Sequence, residues 1–312
     1  MLNHVRFAEM SHKSAFISIV GRPNTGKSTL LNALVGKKIS ITSHHPNTTR
    51  FAIRGILSGA EFQLVFIDTP GLHKAKTALG TTLNQVVDLN IQDVDIAILC
   101  LPSLEAIGAG DLYIAQQLAA RNNLKRICAV TMTDMVSKNE IAQKLLAAQD
   151  LARKAGFDWD EIVPLSAFTD DQIQLLIDLL IKYAEPGPAF FPKDSSTDQD
   201  KNIAIAELIR ESAISDLRDE IPHSVAVLID EFQERQDRPL IDIHASIIVE
   251  RDSQKAILIG KSGSSLKRIG SAARIELEKM LGKQVFLSLH VKVMENWQQD
   301  SKSLKRLGFI QD

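Results

Sequence analysis

The sequence has few cysteines, no long apolar run and almost no net charge, and the first two absences exclude whole classes of protein. Two of the 312 residues are cysteines, Cys100 and Cys128, too few for a disulfide framework or a cysteine-rich metal site. Both lie in apolar stretches, so we expect buried thiols. No apolar run approaches the ~20 residues that span a bilayer. The opening segment MLNHVRFAEMSHKS lacks the apolar stretch of a signal peptide. We therefore expect a cytoplasmic protein.

The formal net charge of −2 is unevenly distributed along the chain. Eleven Lys and Arg stand against five Asp and Glu between Lys255 and Asp312, which leaves 25 basic and 33 acidic residues upstream. A basic carboxy-terminal region predicts a polyanionic partner. A solvated basic face with no partner is the alternative that charge alone leaves open.

The length and the element pattern predict two domains. Strand-like and helix-like stretches alternate over the first 185 residues, which predicts a doubly wound α/β sheet. The predicted strands are Ala15–Val20, Phe51–Leu57, Phe62–Ile67, Asp95–Leu101, Arg126–Thr131 and Glu161–Leu165. The predicted helices are Lys27–Leu34, Leu79–Asn90, Leu112–Ala120, Asn139–Lys154 and Asp171–Tyr183. The turn at Ser58–Ala60 makes the second and third strands an antiparallel hairpin.

The segment EPGPAFFPKDSSTDQD, from Glu185 to Asp200, is rich in proline and polar residues, which is typical of an interdomain linker. Beyond it, helices and strands no longer alternate, and a second, smaller α+β domain is predicted. The predicted organisation is a flexible amino terminus (1–14), an α/β domain (15–184), a linker (185–200) and an α+β domain (201–312).

A phosphate-binding loop follows the first strand directly. The sequence GRPNTGKST supplies Gly21, Arg22, Pro23, Asn24, Thr25, Gly26, Lys27, Ser28 and Thr29 and fits the pattern G-x-x-x-x-G-K-[ST]. Glycines let successive backbone N–H groups point at phosphate oxygens, and the helix that follows adds its positive end. We expect Lys27 to reach the β and γ phosphates and Ser28 to hold Mg²⁺.

Two further loops complete the predicted Mg²⁺ and γ-phosphate site. Asp68-Thr69-Pro70-Gly71 ends an apolar strand, which puts Asp68 at the sheet edge beside the phosphates, with the Gly71 N–H donating to the γ phosphate. In the segment Pro46–Arg50, a threonine hydroxyl would join the Mg²⁺ shell only while the γ phosphate is present. We prefer Thr49 to Thr48; a plain threonine-rich turn is the alternative. Lys27, Thr49 and Gly71 are thus the predicted catalytic residues, and Ser28, Thr49 and Asp68 the metal ligands.

Base recognition is predicted in the loop after the fifth strand. The usual guanine-binding pattern is N-K-x-D, whereas this chain has Thr131-Met132-Thr133-Asp134. The acceptor Asp134 is kept, Thr131 offers a shorter hydrogen bond, and Met132 brings no charge. Ser166-Ala167 forms a second element on the base side. We expect a preference for guanine with an affinity weakened by ~1–2 kcal/mol.

Position 72 is a leucine, where many switch proteins have a glutamine that orients water. Leucine cannot polarise water, so we expect slow hydrolysis unless another group or a bound cation assists. His73 is a candidate water ligand, although an exposed loop histidine is more often without such a role.

Gly260-Lys261-Ser262-Gly263 lies between two predicted helices of the basic α+β domain. A G-x-x-G loop in this position is typical of KH domains, where it clamps four nucleotides of a single strand. Lys261, Lys267, Arg268 and Arg274 would contact phosphates. An ordinary glycine-rich helix connection is the alternative.

These segments together resemble the Era family of bacterial GTPases, of the TrmE-Era-EngA-EngB-Septin-like class. The similarity runs from about Ala15 to Gly308, and its departure is Thr131-Met132 where Asn-Lys is expected. The resemblance implies an Era-type G domain and a type II KH domain, GTP/GDP and Mg²⁺ as ligands, and GTP hydrolysis without the usual glutamine. It also implies a monomeric factor that assists 30S ribosomal subunit biogenesis and binds the 3′ end of 16S-type ribosomal RNA. Peripheral association with the inner membrane is implied too, and Asn24 raises the hypothesis of K⁺ dependence.

Two other functions remain open from the sequence. One is an RNA-binding module whose nucleotide domain is largely structural, which the altered base loop favours. The other is a GTPase that helps to modify tRNA; the G-x-x-G loop argues against it.

Overall fold

The computed structural model describes residues 12–43, 45, 48–70, 77–83, 94–215, 217 and 221–310. The described residues form two compact units. The amino-terminal unit contains those up to Ser40, from Phe51 to Pro70 and from Val94 to Asp198. The carboxy-terminal unit contains those in the segments 41–50 and 77–83 and those from Gln199 onwards.

The amino-terminal unit is built on one sheet of mainly parallel strands. Its strands are β1 (Lys13–Val20), β2 (Ile53–Ser58), β3 (Phe62–Asp68), β4 (Ile96–Pro102), β5 (Lys125–Thr131), β6 (Glu161–Pro164) and the short β7 (Glu185–Pro186). Their order is β2-β3-β1-β4-β5-β6, with β7 antiparallel to β1. β2 and β3 pair antiparallel, and the other neighbours along this order pair parallel. The predicted hairpin and the predicted doubly wound sheet are confirmed.

Helices cover both faces of this sheet, because its central strands are apolar on both sides. The helices are α1 (Lys27–Val35), α2 (Ala109–Ala119), α3 (Lys138–Ala155) and α4 (Ile173–Tyr183). In β4, Ile98 and Cys100 join the core beneath α1 and α4, whereas Leu99 joins the opposite core with α2 and α3. Cys100 and Cys128 are fully buried and free, so the expectation of buried thiols is confirmed. The phosphate-binding loop lies at the carboxyl end of β1 in this frame.

The segment 185–198 lies along the amino-terminal unit. Gln63 Oε1 accepts hydrogen bonds from the backbone N–H groups of Phe190 and Phe191 at 2.7 and 2.9 Å. The Phe190 ring packs 4.9 Å from that of Phe16. Further along, Ile56 N–H donates to Ser196 O at 2.9 Å. This stretch, which we call the strap (185–198), is thus held by backbone and side-chain bonds over most of its length.

The carboxy-terminal unit is a three-stranded sheet with helices. Its elements are α5 (Lys201–Ile214), α6 (Ile221–Ser224), β8 (Ala226–Glu234), β9 (Leu240–Val249), α7 (Asp252–Ile259), α8 (Ser264–Leu281), β10 (Gln284–Val293) and α9 (Ser301–Arg306). The strand order is β10-β9-β8, with β10 parallel and β8 antiparallel to β9. Helices α5 and α8 pack on this sheet through apolar residues such as Ile209, Ala273 and Leu277. The predicted second α+β domain is confirmed.

Two earlier stretches of the chain are part of this carboxy-terminal unit. In the segment 41–50, Ile41 joins its core, and the buried Arg50 guanidinium donates to Val225 O at 2.7 Å and His223 O at 2.6 Å. Residues 78–83 are helical, and Leu79 and Leu83 are buried in a cluster with Trp297. The rest of the predicted helix Leu79–Asn90 lies outside the described residues.

Among the described residues, no helix combines the length and apolarity that crossing a membrane requires.

Candidate functional site

The loop from Gly21 to Ser28 curls tightly between β1 and α1. A Cβ at Gly21 would lie 2.7 Å from Thr25 Oγ1 and 3.0 Å from Cys100 O, so only glycine fits there. Gly26, at φ 86°, immediately precedes α1. Lys27 is buried, and its amine donates to Gly21 O at 3.1 Å and Arg22 O at 2.7 Å. Burial lowers the pKa of Lys27, while Asp68 acts in the opposite direction. The loop therefore presents a positive, glycine-shaped cradle at a helix N-terminus.

The first variable position of the loop is tied to α2. Arg22 Nε donates to the fully buried Asp111 at 2.8 Å, and its terminal nitrogen pairs with Glu105 at 2.9 Å. These carboxylates raise the pKa of Arg22 against the lowering effect of burial. Arg22 stays a predicted nucleotide-binding residue through its backbone, while its guanidinium anchors the loop to the neighbouring helix.

The predicted metal ligands Ser28 and Asp68 are in contact. Ser28 Oγ donates to Asp68 Oδ2 at 2.6 Å, and the buried Ser40 Oγ donates to the same oxygen at 2.9 Å. Asp68 is fully buried at the end of β3. A hydroxyl beside a carboxylate is the hard oxygen donor set that Mg²⁺ prefers. These residues fit Mg²⁺ bound together with a nucleotide phosphate.

The other predicted phosphate-site residues are described only in part. Thr69 is buried next to Asp68, and its hydroxyl donates to Ile19 O at 3.1 Å; Pro70 is also buried. Gly71, Leu72 and His73 lie outside the described residues, as do Pro46 and Asn47. Thr49 is buried in the carboxy-terminal unit, whereas Ser28 and Asp68 belong to the amino-terminal one.

The predicted base-binding loops meet at the ends of β5 and β6. Ser166 Oγ donates to Asp134 Oδ1 at 2.6 Å, so a side-chain hydrogen bond connects the two loops while Asp134 remains exposed. Ala167 follows, half-buried. Thr131 Oγ1 donates to Thr25 O of the phosphate loop at 2.9 Å. Met132 adopts φ 60° and bends the chain between these groups.

The glycine loop of the carboxy-terminal unit joins α7 to α8. Gly260 and Gly263 have φ values of 71° and 77°, and a Cβ at Gly260 would lie 2.8 Å from Ser265 Cβ. Lys261 and Ser262 between them are both exposed. The loop thus offers backbone edges that larger residues would obstruct.

A groove of about 490 Å³ extends from this loop between α8 and β10. Of the predicted RNA contacts, Gly263, Lys267 and Arg274 line it. Arg268 is exposed on the same helix but does not line the groove. Its full lining is Gly263, Leu266, Lys267, Gly270, Ser271, Arg274, Val285, Phe286, Leu287 and Leu289.

Several residues that support these sites were not identified from the sequence. Ser40 and Asp111 have no motif around them, and their partners lie 28 and 89 positions away. Ser103 Oγ donates to Met132 O at 2.7 Å and so fixes the base loop. The sequence offered one indication of Phe286 in the groove. This exposed residue is apolar, like its neighbours in β10, and so breaks the alternation of apolar and polar residues along the strand.

Two family models match the chain, one for each unit. Residues 16–132 match the family described as 50S ribosome-binding GTPase, and residues 220–298 match the KH domain family.

Relatives and solved structures cover nearly the whole chain. The GTPase Era of Streptomyces coelicolor is 48% identical over 97% of this chain and 96% of its own. That of Mycobacterium avium is 50% identical over 95% and 99%. The crystal structure of an Aquifex aeolicus Era variant bound to GDP and AlF4⁻ has a TM-score of 0.89 and 33% identity, over 95% of this chain and 99% of that one. An Era complex with MgGDPNP and nucleotides 1506–1542 of 16S ribosomal RNA has a TM-score of 0.90 and 33% identity, over 96% and 99%. This chain therefore belongs to the Era family and is a GTP-hydrolysing enzyme with a KH domain.

Proposed function

We propose that this GTPase binds a single-stranded segment at the 3′ end of small-subunit ribosomal RNA in its α8–β10 groove, and that bound GTP or GDP sets the RNA affinity. The single observation that supports this most is the groove itself, which begins at the Gly260–Gly263 loop and has cations along one wall. A solved Era structure holds both MgGDPNP and a 16S ribosomal RNA segment.

The groove has the chemistry that a single strand requires. Lys267, Ser271 and Arg274 stand on one face of α8, one turn apart, where they would follow successive phosphates. The opposite wall is apolar and includes Phe286, 51% exposed, which would stack on a base. Lys261 and Arg268 would add phosphate contacts beside the loop.

For the nucleotide, we propose the predicted residues in their predicted roles. The backbone from Gly21 to Thr29 would hold the phosphates with Lys27, and Ser28 and Asp68 would hold Mg²⁺, which supplies charge for the developing phosphate anion. Thr49 and Gly71 would respond to the γ phosphate. Thr69 and Pro70 would shape that side, and Thr131, Met132, Asp134, Ser166 and Ala167 would surround guanine.

The RNA assignment is tested with a paired substitution in the glycine loop. Gly260→Asp with Gly263→Asp should abolish binding to a 16S 3′-end oligonucleotide in fluorescence anisotropy, while GTP turnover remains measurable. The matched control is Gly282→Asp, which places the same acid at another positive-φ glycine, at the far end of α8. RNA affinity retained in the paired variant would exclude the KH interpretation.

The same proposal extends to broader properties of the family. We propose a monomeric, cytoplasmic factor in 30S subunit biogenesis, with the domain boundaries 1–14, 15–184, 185–200 and 201–312. We also propose peripheral binding to the inner membrane and a stimulation of GTP hydrolysis by K⁺ that depends on Asn24. Vesicle co-sedimentation tests the first, and turnover in KCl against NaCl, with Asn24→Ala as the control variant, tests the second.

A further inference from the structure

The hydroxyl of Thr131 has a partner that decides what it can offer a nucleotide base. Thr131 ends β5 and is buried, and its Oγ1 lies 2.9 Å from the backbone carbonyl oxygen of Thr25. A carbonyl oxygen can only accept, so the hydroxyl must donate. A threonine hydroxyl has one proton. That proton is therefore directed at the phosphate loop.

The surroundings of Thr131 keep its side chain in this arrangement. Ser103 N–H donates to Thr131 O at 2.9 Å, and Ser103 Oγ holds the next carbonyl, that of Met132. β-branched side chains have few accessible χ1 rotamers in a strand. Rotation of the hydroxyl away from Thr25 would leave a buried carbonyl without this donor, which is unfavourable.

The position of Thr131 puts it on the side of the proposed base site where the five-membered ring of guanine would lie. Asp134, three residues later and bonded to Ser166, is the proposed acceptor for the N1 and N2 groups of the six-membered ring. The phosphates attach through ribose to N9 of the five-membered ring, so that ring lies toward the phosphate loop. Thr131 contacts that loop, and N7, an acceptor, is on the five-membered ring.

We propose that Thr131 positions the phosphate loop and gives no hydrogen bond to guanine N7, so that this GTPase does not favour guanine over 7-deazaguanine. An asparagine at position 131 would carry two amide protons, one for Thr25 O and one for N7. Threonine supplies only the first. This proposal rests on the nucleotide site proposed above.

Two acceptors would face each other in the resulting site. With its proton directed at Thr25 O, Oγ1 turns lone pairs toward the base, and N7 turns its own lone pair toward Oγ1. Replacing N7 by C–H removes that opposition. The ratio of the dissociation constant of 7-deaza-GDP to that of GDP is then one or less for the unmodified protein.

The test compares GDP with 7-deaza-GDP by calorimetry on the full chain, because neither ligand is hydrolysed. Thr131→Asn should bind GDP roughly 2- to 10-fold more tightly than 7-deaza-GDP, the gain from one hydrogen bond. Thr131→Ser keeps the single donor and should keep a ratio near one. Met132→Lys should change the affinity for both ligands equally and leave the ratio unchanged.

Thr131→Val separates positioning from base contact. It removes the donor to Thr25 O and should weaken GDP and 7-deaza-GDP by the same factor. An unmodified protein that prefers GDP by more than about threefold would overturn the proposal, since some donor would then reach N7. A Thr131→Asn protein that binds GDP but shows no preference would overturn it as well. If the unmodified protein binds neither ligand, the nucleotide site itself is wrong.

Discussion

At the scale of single residues, Asp134 is the group that we propose for base recognition. Its carboxylate accepts from Ser166 at 2.6 Å on one oxygen and is exposed to the site. A carboxylate accepts from the N1 and N2 groups of guanine, whereas an amide can donate to the extra carbonyl of xanthine. We expect Asp134→Asn to move the preference from GDP toward xanthosine diphosphate (XDP) in competition binding.

Ser166→Ala is the control for this exchange. It removes the donor that orients Asp134, so GDP should bind more weakly by about 0.5–1.5 kcal/mol with no gain for XDP. An Asp134→Asn protein that still preferred GDP as strongly as before would contradict the assignment.

The two thiols give a second prediction at this scale. Burial raises the pKa of Cys100 to about 12 and raises that of Cys128 further. A thiol-specific reagent at pH 8 should therefore modify neither cysteine in the folded protein and both in guanidinium chloride, because the thiolate is the reactive form. Rapid modification of folded protein would contradict their burial.

These thiols also give the stability a sign with respect to pH. The folded state holds the two protons to higher pH than the unfolded state, whose thiols titrate near 9.0. The contribution to the free energy of unfolding is present below that pH and is lost as the pH rises through the folded pKa. Urea midpoints of Cys100→Ser and Cys128→Ser proteins should lose this part of the alkaline decline.

At the scale of the elements, helix α5 contains a buried ion pair between Arg210 and Glu207. Arg210 donates to both carboxylate oxygens of Glu207, at 2.8 and 2.6 Å, and also to Thr48 O in segment 41–50. The side chains are 1% and 7% exposed. Breaking such a pair leaves an uncompensated buried charge. We expect Arg210→Met to lower the free energy of unfolding by about 3–5 kcal/mol, measured in urea.

The control for this loss removes both charges. Glu207→Gln combined with Arg210→Met should recover a large part of the stability. The exposed pair Arg153–Asp150 in α3, at the same i, i+3 spacing, should cost at most ~1 kcal/mol when broken. An equal loss from both pairs would contradict the argument from burial.

The elements themselves were largely predictable, whereas the contacts that connect them were not. The predicted strand Asp95–Leu101 matches β4 to one residue at each end, and the predicted helix Lys27–Leu34 lacks only the last residue of α1, because burial follows the periodicity of each element. The burial of Arg50 and Thr48 had no such signal, since their partners stand more than 160 positions along the chain. The bond from Thr131 to Thr25 was equally invisible, as it depends on how two loops meet.

On the scale of the whole molecule, segment 41–50 belongs to the carboxy-terminal unit, although it lies in the chain between two stretches of the amino-terminal unit. We propose that this segment transmits the nucleotide state. Arg50 binds two backbone carbonyls there and lies 5.6 Å from the Trp297 ring. Coupling is reciprocal: if GDPNP in place of GDP changes RNA affinity by some factor, RNA changes the relative affinity for the two nucleotides by the same factor. Calorimetry measures that factor from four dissociation constants, those of GDP and GDPNP in the presence and in the absence of RNA.

Arg50→Lys should bring the coupling factor close to one, because lysine keeps the charge but cannot form the two-carbonyl fork. Arg54→Lys is the matched control, since the exposed Arg54 pairs with Asp198 within the amino-terminal unit. A coupling factor that is unchanged in Arg50→Lys would show that segment 41–50 does not transmit the nucleotide state.

The path of the chain has a consequence for how this protein can be divided. The strap is bonded to the amino-terminal unit as far as Asp198, and Asp200 already caps α5, so a genetic cut there looks natural. Yet the fragment 1–198 would expose Ile41, Leu79 and Leu83, whose partners lie beyond the cut. The fragment 199–312 would have the matching vacancies. We therefore expect neither fragment to fold without the other. The two fragments should be recovered as soluble protein when they are expressed together as separate polypeptides, and not when each is expressed alone.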